Sequence, residues 1–599
     1  MKKFSRLLAM LLAVAMILAM AACGNSAASA SADEAEAASA AEAVSAEETA
    51  EAEEAPAAEA EEAPAAEAEE ASAAEAEEAP AEEPAAEETA ATYTGATPAA
   101  ESAVTYPLED AVTLTFWSPF NSTMPGVYDT ITDIPAVAAI SEATGVEIEW
   151  TVVSGAEMFS SFNLMAAAGD YCDLITAAVE CYSGGAVSAL DDGVIVDLTD
   201  YVEEYAPDYL AAFTSRNAEK DITTDDGRYA CLYGAYNELF NNQGYVIRQD
   251  WLDELGLDTP VTYDDYYEVL TAFKDAYGCT EAFMMDETCQ DEYHTSGGFG
   301  TSGYKNGHFG TGSDLYQIDG EVVSSFNQDS YRQYLAEMNK WYEAGLFSAD
   351  FVTLTSSPNG DDRTQLISEG KSGIWYVGAT SIDVQVEAIG GDAEVVGITD
   401  PVTEEGEINH FSSATIINTQ CDVSVSSDCE NIEAAVAYLN YYFTDEGIRL
   451  YNYGVEGETY NLEDGEIAYT DVILGATDYT PYTMTEAYVL VGYVCSVTDA
   501  NRSRAFNSDA TKDALDLWNA SQDNANVIPK GVALTSEESS DVSAIQSDLY
   551  TYVAECIPKF ILGEMDIDSQ WDEFVSTCES MGLNDEIEIY QGAYDRYMA

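Results

Sequence analysis

The sequence predicts an α/β protein whose folded part is divided into two lobes. Strand-like and helix-like patterns alternate between residues 112 and 178, an order typical of a parallel sheet with helices on its faces. Residues 103–599 exceed the length at which a single hydrophobic core stops growing. An apolar run near the N terminus indicates that the chain is exported.

The export signal is the apolar run 7–22, which follows a basic start and ends at Cys23. The run is too short for a comfortable membrane span and lacks a basic stop-transfer cluster behind it. Residues 20–23 resemble a bacterial lipobox with Met in place of Leu, which predicts removal of residues 1–22 and lipid modification of Cys23. Two acyl chains would hold the protein at the extracellular face of the bacterial cytoplasmic membrane. The alternative is an ordinary cleaved signal with an incidental cysteine.

Residues 23–103 are predicted to be a disordered linker. They consist mainly of Ala, Glu and Pro, with almost no large apolar side chains. Such a segment cannot bury enough surface to offset the entropy lost on ordering. Because its many carboxylates repel one another, we expect an extended tether between the lipid anchor and the fold.

Charge and cysteine content exclude several classes of function. The chain carries 111 acidic and 20 basic residues, a formal net charge of −91, which disfavours nucleic acid and anionic lipid surfaces. Ten cysteines follow Cys23, without a C-x-x-C motif, and three histidines provide no zinc-ligand spacing, so neither a metal nor another cofactor is predicted. We expect mostly buried free thiols, with a local bridge such as Cys421 to Cys429 as the alternative.

The first elements follow from residue periodicity. Residues 112–117 alternate as a strand, residues 134–144 have a helical pattern that Gly145 ends, and residues 146–153 form a second strand. A helix around 158–168, a Gly-Asp turn and the apolar run 173–178 complete the alternation. Ligands of such sheets collect beyond the carboxyl ends of the strands.

Several later helices are indicated by N-capping residues and by glycines that end them. Residues 245–248 predict another strand, and Thr262 with Asp265 predicts a capping box at the start of a helix over 263–274. Amphipathic patterns predict three further helices, over 330–344 with Gly345 behind it, over 432–443, and over 570–581 with Gly582 behind it.

Several motifs resemble a known family. Residues 164–175, 192–199 and 226–230 resemble, in that order, the first lobe of extracellular solute-binding proteins of family 1, the maltodextrin-binding type. Residues 247–257 resemble the same family's crossing into its second lobe. The motifs at 341–347, 453–460 and 590–597 are similar to the large lipoprotein subgroup that serves oligosaccharide ABC importers.

The resemblance implies a type II periplasmic-binding-protein-like fold. Each lobe would hold a mainly parallel sheet flanked by helices, and hinge strands would join the lobes. Lobe 1 would comprise residues 104–240 plus about 395–450, and lobe 2 residues 241–394 plus about 451–599. The implied function is a monomeric substrate-binding lipoprotein that closes over an oligosaccharide and delivers it to the permease subunits. Residues 275–280 lack the acidic calcium loop that several relatives carry, so no calcium is predicted there.

The family's ligand contacts nominate candidate site residues. Sugars present flat C–H faces to aromatic rings and hydroxyls to carboxylates and amides. Trp117 could instead pack in the core and make no ligand contact. Trp375 is the aromatic ring favoured for stacking on the sugar. An acidic sugar would need a local cation such as Arg502 at the cleft. The candidates are Trp117, Ser118, Glu180, Tyr182, Asn241, Asn242, Tyr293, His294, Trp375, Tyr376 and Arg502.

Other functions stay open at this stage. With so few basic residues, a neutral oligosaccharide is preferred over a uronate-rich glycan. The protein is predicted not to be an enzyme, because no catalytic motif appears, although a glycosidase needs only two carboxylates. The remaining alternatives are a surface glycan-binding protein without a transporter and a binder of a non-sugar solute.

Overall fold

The computed structural model describes residues 104–599 apart from short segments. The described residues do not include the signal, Cys23, the linker, Cys289, Tyr293 or His294. The segments left out are 110, 120–127, 129, 286–294, 304–313, 355–360, 412–414, 464, 477–478 and 493.

Thirteen strands occur in the described part. They are β1 (Val112–Ser118), β2 (Val146–Val152), β3 (Leu174–Thr176), β4 (Leu232–Phe240), β5 (Gln243–Arg248), β6 (Leu315–Ile318), β7 (Glu321–Ser324), β8 (Ile374–Gly378), β9 (Val395–Ile398), β10 (Thr415–Val425), β11 (Tyr460–Glu463), β12 (Glu466–Tyr469) and β13 (Val497–Thr498).

The α-helices of the described part surround these strands. They are α1 (Pro135–Thr144), α2 (Met158–Ala168), α3 (Ala178–Cys181), α4 (Gly185–Asp191), α5 (Thr199–Tyr205), α6 (Pro207–Thr214), α7 (Gln249–Leu255), α8 (Tyr263–Tyr277), α9 (Asp329–Glu343), α10 (Asp361–Ser368), α11 (Ala379–Ile389), α12 (Ile432–Tyr441), α13 (Asp445–Tyr453), α14 (Asp471–Leu474), α15 (Pro481–Glu486), α16 (Asp509–Ala520), α17 (Ser536–Ile561), α18 (Ile567–Ser580) and α19 (Leu583–Met598). Short 3₁₀ helices lie at Ile131–Asp133, Gly155–Glu157, Glu219–Ile222, Gly297–Phe299, Ser325–Asn327 and Ala349–Val352.

The first lobe is built on a six-stranded sheet in the order β13-β4-β10-β3-β1-β2. Strands β1, β2 and β3 are parallel, whereas β10 runs antiparallel to β3 and β4. Alternate side chains enter separate cores, so Phe116 and Leu174 pack on one face of the sheet. Trp117 and Ile175 pack on the other face.

The second lobe is built on a three-stranded sheet in the order β8-β5-β9. Strand β5 runs antiparallel to both neighbours. One face carries Tyr245 and Ile247, against which α8, α9, α17 and α18 pack. The other face carries Val246 and Trp375 beneath α16. Since α17 and α19 share the first of these cores, both helices belong to the second lobe.

The two-lobed α/β prediction is confirmed, but the strand pairing differs in detail. The sequence predicts mainly parallel sheets, and the observed sheets are mixed. The reason lies in the crossing strands: β5 leaves the first lobe and runs into the second, while β8 and β9 run back towards it. Residue periodicity indicates which face a residue occupies, not the direction of its neighbouring strand.

Three crossing segments connect the sheets along the described chain. They lie between β4 and β5, between β9 and β10, and between β13 and α16. The lobe boundaries remain a prediction. Strand pairing puts Val395–Ile398 in the second sheet and Val497–Thr498 in the first.

The predicted capping box is present. The Thr262 hydroxyl accepts from the N–H of Asp265 at 3.2 Å, and the Asp265 carboxylate accepts from the N–H of Thr262 at 2.8 Å. Helix α8 runs three residues further than predicted and ends where Gly278 takes a positive φ of 70°. Among the described helices, none has both the length and the apolar character needed to cross a membrane.

The prediction of mostly buried free thiols is confirmed. All nine cysteines in the described part are free, and eight of them are buried. Cys421 and Cys429 do not form the bridge offered as an alternative. The Cys421 thiol instead accepts from the Asn418 side chain at 3.1 Å, and burial raises its pKa to about 12.

Candidate ligand-binding site

A pocket of about 400 Å³ lies where the crossing segments enter the second sheet. Its size is within the range of small-molecule sites. The crossings between β4 and β5 and between β9 and β10 contribute residues, as does the C-terminal end of α16, and Val261 completes the wall. The lining is Asn241, Gln243, Gly244, Val261, Thr399, Asp400, Val402, Glu407, Ile408, Asn409, Phe411, Trp518, Ala520, Ser521, Gln522 and Asp523.

Asn241, one of the predicted contacts, fixes the first crossing. Its N–H donates to Asn519 Oδ1 at 2.9 Å, and its C=O accepts from Asn519 Nδ2 at 2.8 Å. Its own side chain donates to the Gln243 carbonyl at 2.8 Å and accepts from the Gln243 N–H at 3.0 Å. The Asn241 amide therefore shapes the turn into the pocket, while Asn242 is exposed beside it.

The pocket wall depends on close packing of Trp518. A Cβ on Gly244 would lie 2.4 Å from the Trp518 ring, and one on Gly397 would lie 3.4 Å from its Nε1. Trp518 Nε1 donates to the Ile398 carbonyl at 3.2 Å. Glycine at position 244 thus lets the indole lie flat on the strand, which ties α16 to the sheet.

The pocket is acidic. Asp400, Glu407 and Asp523 contribute carboxylates, and among the described residues that line it none is lysine or arginine. Burial raises the pKa of Asp523, but the Ala525 amide and His410 outweigh it, so the net pKa lies below its usual value. His410 Nδ1 lies 2.9 Å from Asp523 Oδ1. The carboxylate is therefore ionised and can accept hydrogen bonds from hydroxyls.

A second acidic feature lies at the carboxyl edge of the first sheet. Glu180, a predicted contact, is exposed, yet desolvation raises its pKa. Asp422 on β10 is fully buried, and burial together with the charge of Glu180 raises its pKa well above the usual value. Neither Asp422 oxygen has a partner of hydrogen-bond geometry among the described residues. The Tyr182 hydroxyl donates to Asp192 at 2.7 Å.

The sequence analysis missed Asp422, Asn519 and the acidic lining of the pocket. The signal for Asp422 is a carboxylate within an otherwise apolar and hydroxyl-bearing strand, Cys421-Asp-Val-Ser-Val425. Asn519 carries no such signal, because its importance arises only when α16 docks against the first crossing.

The residues at the end of β1 are buried. Trp117 is 2% exposed and packs edge-on against Phe162, with ring centroids 6.2 Å apart. This arrangement matches the core packing that the sequence left as its alternative. Ser118 is fully buried, and its hydroxyl has no hydrogen-bond partner among the described residues.

Trp375, the ring favoured for stacking, and Tyr376 lie inside β8. Trp375 is 1% exposed and donates from Nε1 to Gln385 Oε1 at 2.8 Å. Tyr376 packs edge-on against Tyr245, with centroids 5.5 Å apart. Their rings lie on opposite faces of the sheet, so this structure offers neither as a stacking platform.

Arg502 does not supply a free cation. Its guanidinium contacts Glu486 at 2.7 Å and lies over the Tyr482 ring at 5.6 Å. Of the predicted candidates, the structure thus places Asn241 in the pocket, and Glu180 and Tyr182 at the first-lobe edge. Which of these residues contact a ligand stays a prediction.

Comparisons with known proteins agree with this architecture. The sequence model of the family described as bacterial extracellular solute-binding protein matches residues 130–448. The polygalacturonan/rhamnogalacturonan-binding protein YtcQ of Bacillus subtilis (strain 168) is 24% identical over 471 residues, covering 77% of this chain and 88% of YtcQ. The fructooligosaccharide ABC transporter substrate-binding protein FusA of Streptococcus pneumoniae serotype 4 is 23% identical over 534 residues. This match covers 83% of this chain and 92% of FusA.

A solved structure shows the same fold. The HMO-binding, ABC-transporter-associated solute binding protein from Bifidobacterium longum infantis superposes with a TM-score of 0.65 at 20% identity. The match covers 82% of this chain and 99% of that one.

Proposed function

Since the chain belongs to the bacterial extracellular solute-binding protein family, we propose that it captures a neutral oligosaccharide between its lobes for an ABC importer. The observation that supports this proposal is the pocket beside the crossing segments, the place about which the lobes would rotate. The name of FusA, a relative that covers most of the chain, specifies a fructooligosaccharide transporter.

The charge of the pocket selects against acidic sugars. Three carboxylates line it, and among its described lining residues no lysine or arginine balances them. A uronate would meet an unfavourable field and would lose its hydration without a paired cation. A neutral sugar instead offers hydroxyls that donate to these carboxylates, in hydrogen bonds strengthened by the charge.

Affinity arises from closure. Each lobe would supply only part of the binding surface, with the crossing pocket on one side and the exposed Glu180 on the other. A ligand that touches both stabilises the closed arrangement by its differential contacts. We propose that the permease recognises the closed form, and that no bond of the sugar is broken.

We further propose that Cys23 carries the lipid anchor and that residues 24–103 tether a monomeric binding unit outside the cytoplasmic membrane. The basis is the sequence of the signal and of the acidic linker. Mass spectrometry of the intact protein tests it, because diacylation adds the mass of two acyl chains at Cys23.

A thermal-shift comparison tests the ligand class. The purified lipoprotein in detergent is heated with kestose or with trigalacturonate at equal concentrations. A ligand at a hundred times its Kd stabilises the folded state by about 2.7 kcal/mol. We expect an increase in Tm with the neutral sugar alone. An increase with trigalacturonate alone refutes the neutral-ligand proposal, and cleavage products in either sample refute the non-catalytic one.

A further inference from the structure

The end of α19 contacts the first lobe at a place distinct from the three crossing segments. The Arg596 guanidinium donates from Nε to Asp225 Oδ2 at 2.7 Å, and the Tyr597 hydroxyl donates to Asp221 Oδ1 at 2.7 Å. Lys220 Nζ donates to the Tyr597 carbonyl at 3.1 Å. Two helical residues of the second lobe thus meet one short segment, 220–225, of the first.

Arg596 is held ready for this contact by its own lobe. Its two terminal nitrogens donate to the two Glu538 oxygens at 2.9 and 2.7 Å. Glu538 is itself fixed, because it forms the capping box at the start of α17 with Thr535. Because this bidentate pair already orders the Arg596 side chain, little further side-chain entropy is lost when Arg596 binds Asp225.

The start of α17 adds a second contact. The Ser536 hydroxyl lies 3.2 Å from Ser188 Oγ and 3.4 Å from Asp191 Oδ2, both on α4 of the first lobe. The surfaces also fit closely at Gly531, where an added Cβ would lie 2.5 Å from Asp221 Oδ1 and 2.7 Å from the Tyr597 ring.

We propose that these contacts form a latch between the lobes and stabilise their closed arrangement. The inference rests on the proposed closure of the lobes, and it assigns the closing energy to residues outside the ligand pocket. Arg596, Tyr597, Asp221 and Asp225 are therefore positioning residues, which raise ligand affinity by making the binding arrangement more populated.

The first-lobe part of the latch is separated along the chain from the first crossing by the whole of β4. Segment 220–225 leads into the start of β4, and the crossing follows the other end of that nine-residue strand. At about 3.3 Å per residue, the start of β4 is about 26 Å from the crossing. A rigid-body rotation of about 15° moves such a point by about 7 Å, which breaks hydrogen bonds of this length. Opening of the lobes therefore requires release of the latch.

Inter-lobe distances measured without ligand test the latch. Spin labels are introduced as non-cysteine residues at Glu147 and Asp572, exposed positions of the first and second lobes. The full chain is compared with a variant carrying Asp225→Asn and Tyr597→Phe by double electron–electron resonance. We expect the parent chain to show both a short and a long distance, and the variant to show a short-distance fraction about three- to tenfold smaller.

Three controls separate the latch from a general structural effect. Asp225→Glu keeps the ion pair and should retain the parent distribution. Asp200→Asn makes the same charge change at an exposed position of α5 and should also leave it unchanged. Sodium chloride at 1 M should shift the parent chain towards long distances, because partly exposed ion pairs are screened, and should change the variant less.

The latch is refuted if the variant and the parent chain show the same distances, if Asp200→Asn opens the lobes equally, or if the parent chain shows no short-distance fraction. Circular dichroism confirms that each variant is folded. Since the measurement uses no sugar, failure of the neutral-oligosaccharide proposal leaves its outcome unaffected.

Discussion

Replacement of Gly244 by alanine tests whether Trp518 packing builds the ligand pocket. The new Cβ would lie 2.4 Å from Cε2 and Nε1 of the indole, more than 1 Å inside the usual carbon–carbon contact of about 3.5 Å. Because Trp518 is 3% exposed and donates to Ile398, it has little room to retreat. We expect the ring to shift and the wall of the pocket to move with it.

The magnitude follows from two costs. Overpacking of a dense core costs about 1–3 kcal/mol. Loss of the indole hydrogen bond adds about 1 kcal/mol. Gly244→Ala should therefore lower the free energy of unfolding by about 2–4 kcal/mol, measured by urea titration followed through tryptophan fluorescence.

Gly378 provides the matched control. It lies opposite Gln243 on the neighbouring strand, and its Cβ would meet only Gln243 Cγ at 4.0 Å. Its φ of −76° suits any residue. Gly378→Ala should therefore change the free energy of unfolding by less than about 1 kcal/mol, because alanine restricts the unfolded chain but is a weaker N-cap of α11 than glycine. Equal effects of the two substitutions, or an unfolding free energy of Gly244→Ala within 0.5 kcal/mol of the parent, would refute the packing argument.

Three further predictions concern other parts of the fold. Asn519→Leu removes both hydrogen bonds to the Asn241 backbone and should lower the free energy of unfolding by about 1–3 kcal/mol, measured by urea titration. An unchanged free energy would show that these hydrogen bonds do not stabilise the crossing. Burial raises the pKa of Glu586 to about 8, so the protein should lose stability as pH rises from about 4.5 through 8. Glu586→Gln should flatten that Tm profile, and an unchanged profile would contradict it. Because the described cysteines are free, dithiothreitol should leave Tm unchanged, and a drop of several degrees would indicate a disulfide.

Local elements are predictable from this sequence because their signals are local. The Thr262–Asp265 capping box needs only residues three apart, and the alternation around β1 to β3 follows side-chain periodicity. Two-lobe organisation follows from length and from the ordered motifs. The direction of β5 relative to its neighbours depends on how the chain crosses between lobes, which no local pattern encodes.

The candidate site was less predictable than the local elements, because whether a side chain is exposed depends on its exact position in a strand. Trp375 belongs to β8 itself, so its ring turns into the core and bonds to Gln385. Asp422 and Asn519 acquire their roles from partners distant in sequence, Glu180 on α3 and Asn241 at the crossing. Of the candidates within the described residues, Asn241 alone lines the crossing pocket.

Small-angle X-ray scattering with and without a neutral oligosaccharide tests the central claim most directly. The sugar is the one from a glycan panel that raises Tm most. We predict a smaller radius of gyration on binding, because the ligand draws the lobes together over the crossing pocket. Saturating binding with an unchanged or larger radius would contradict capture by lobe closure.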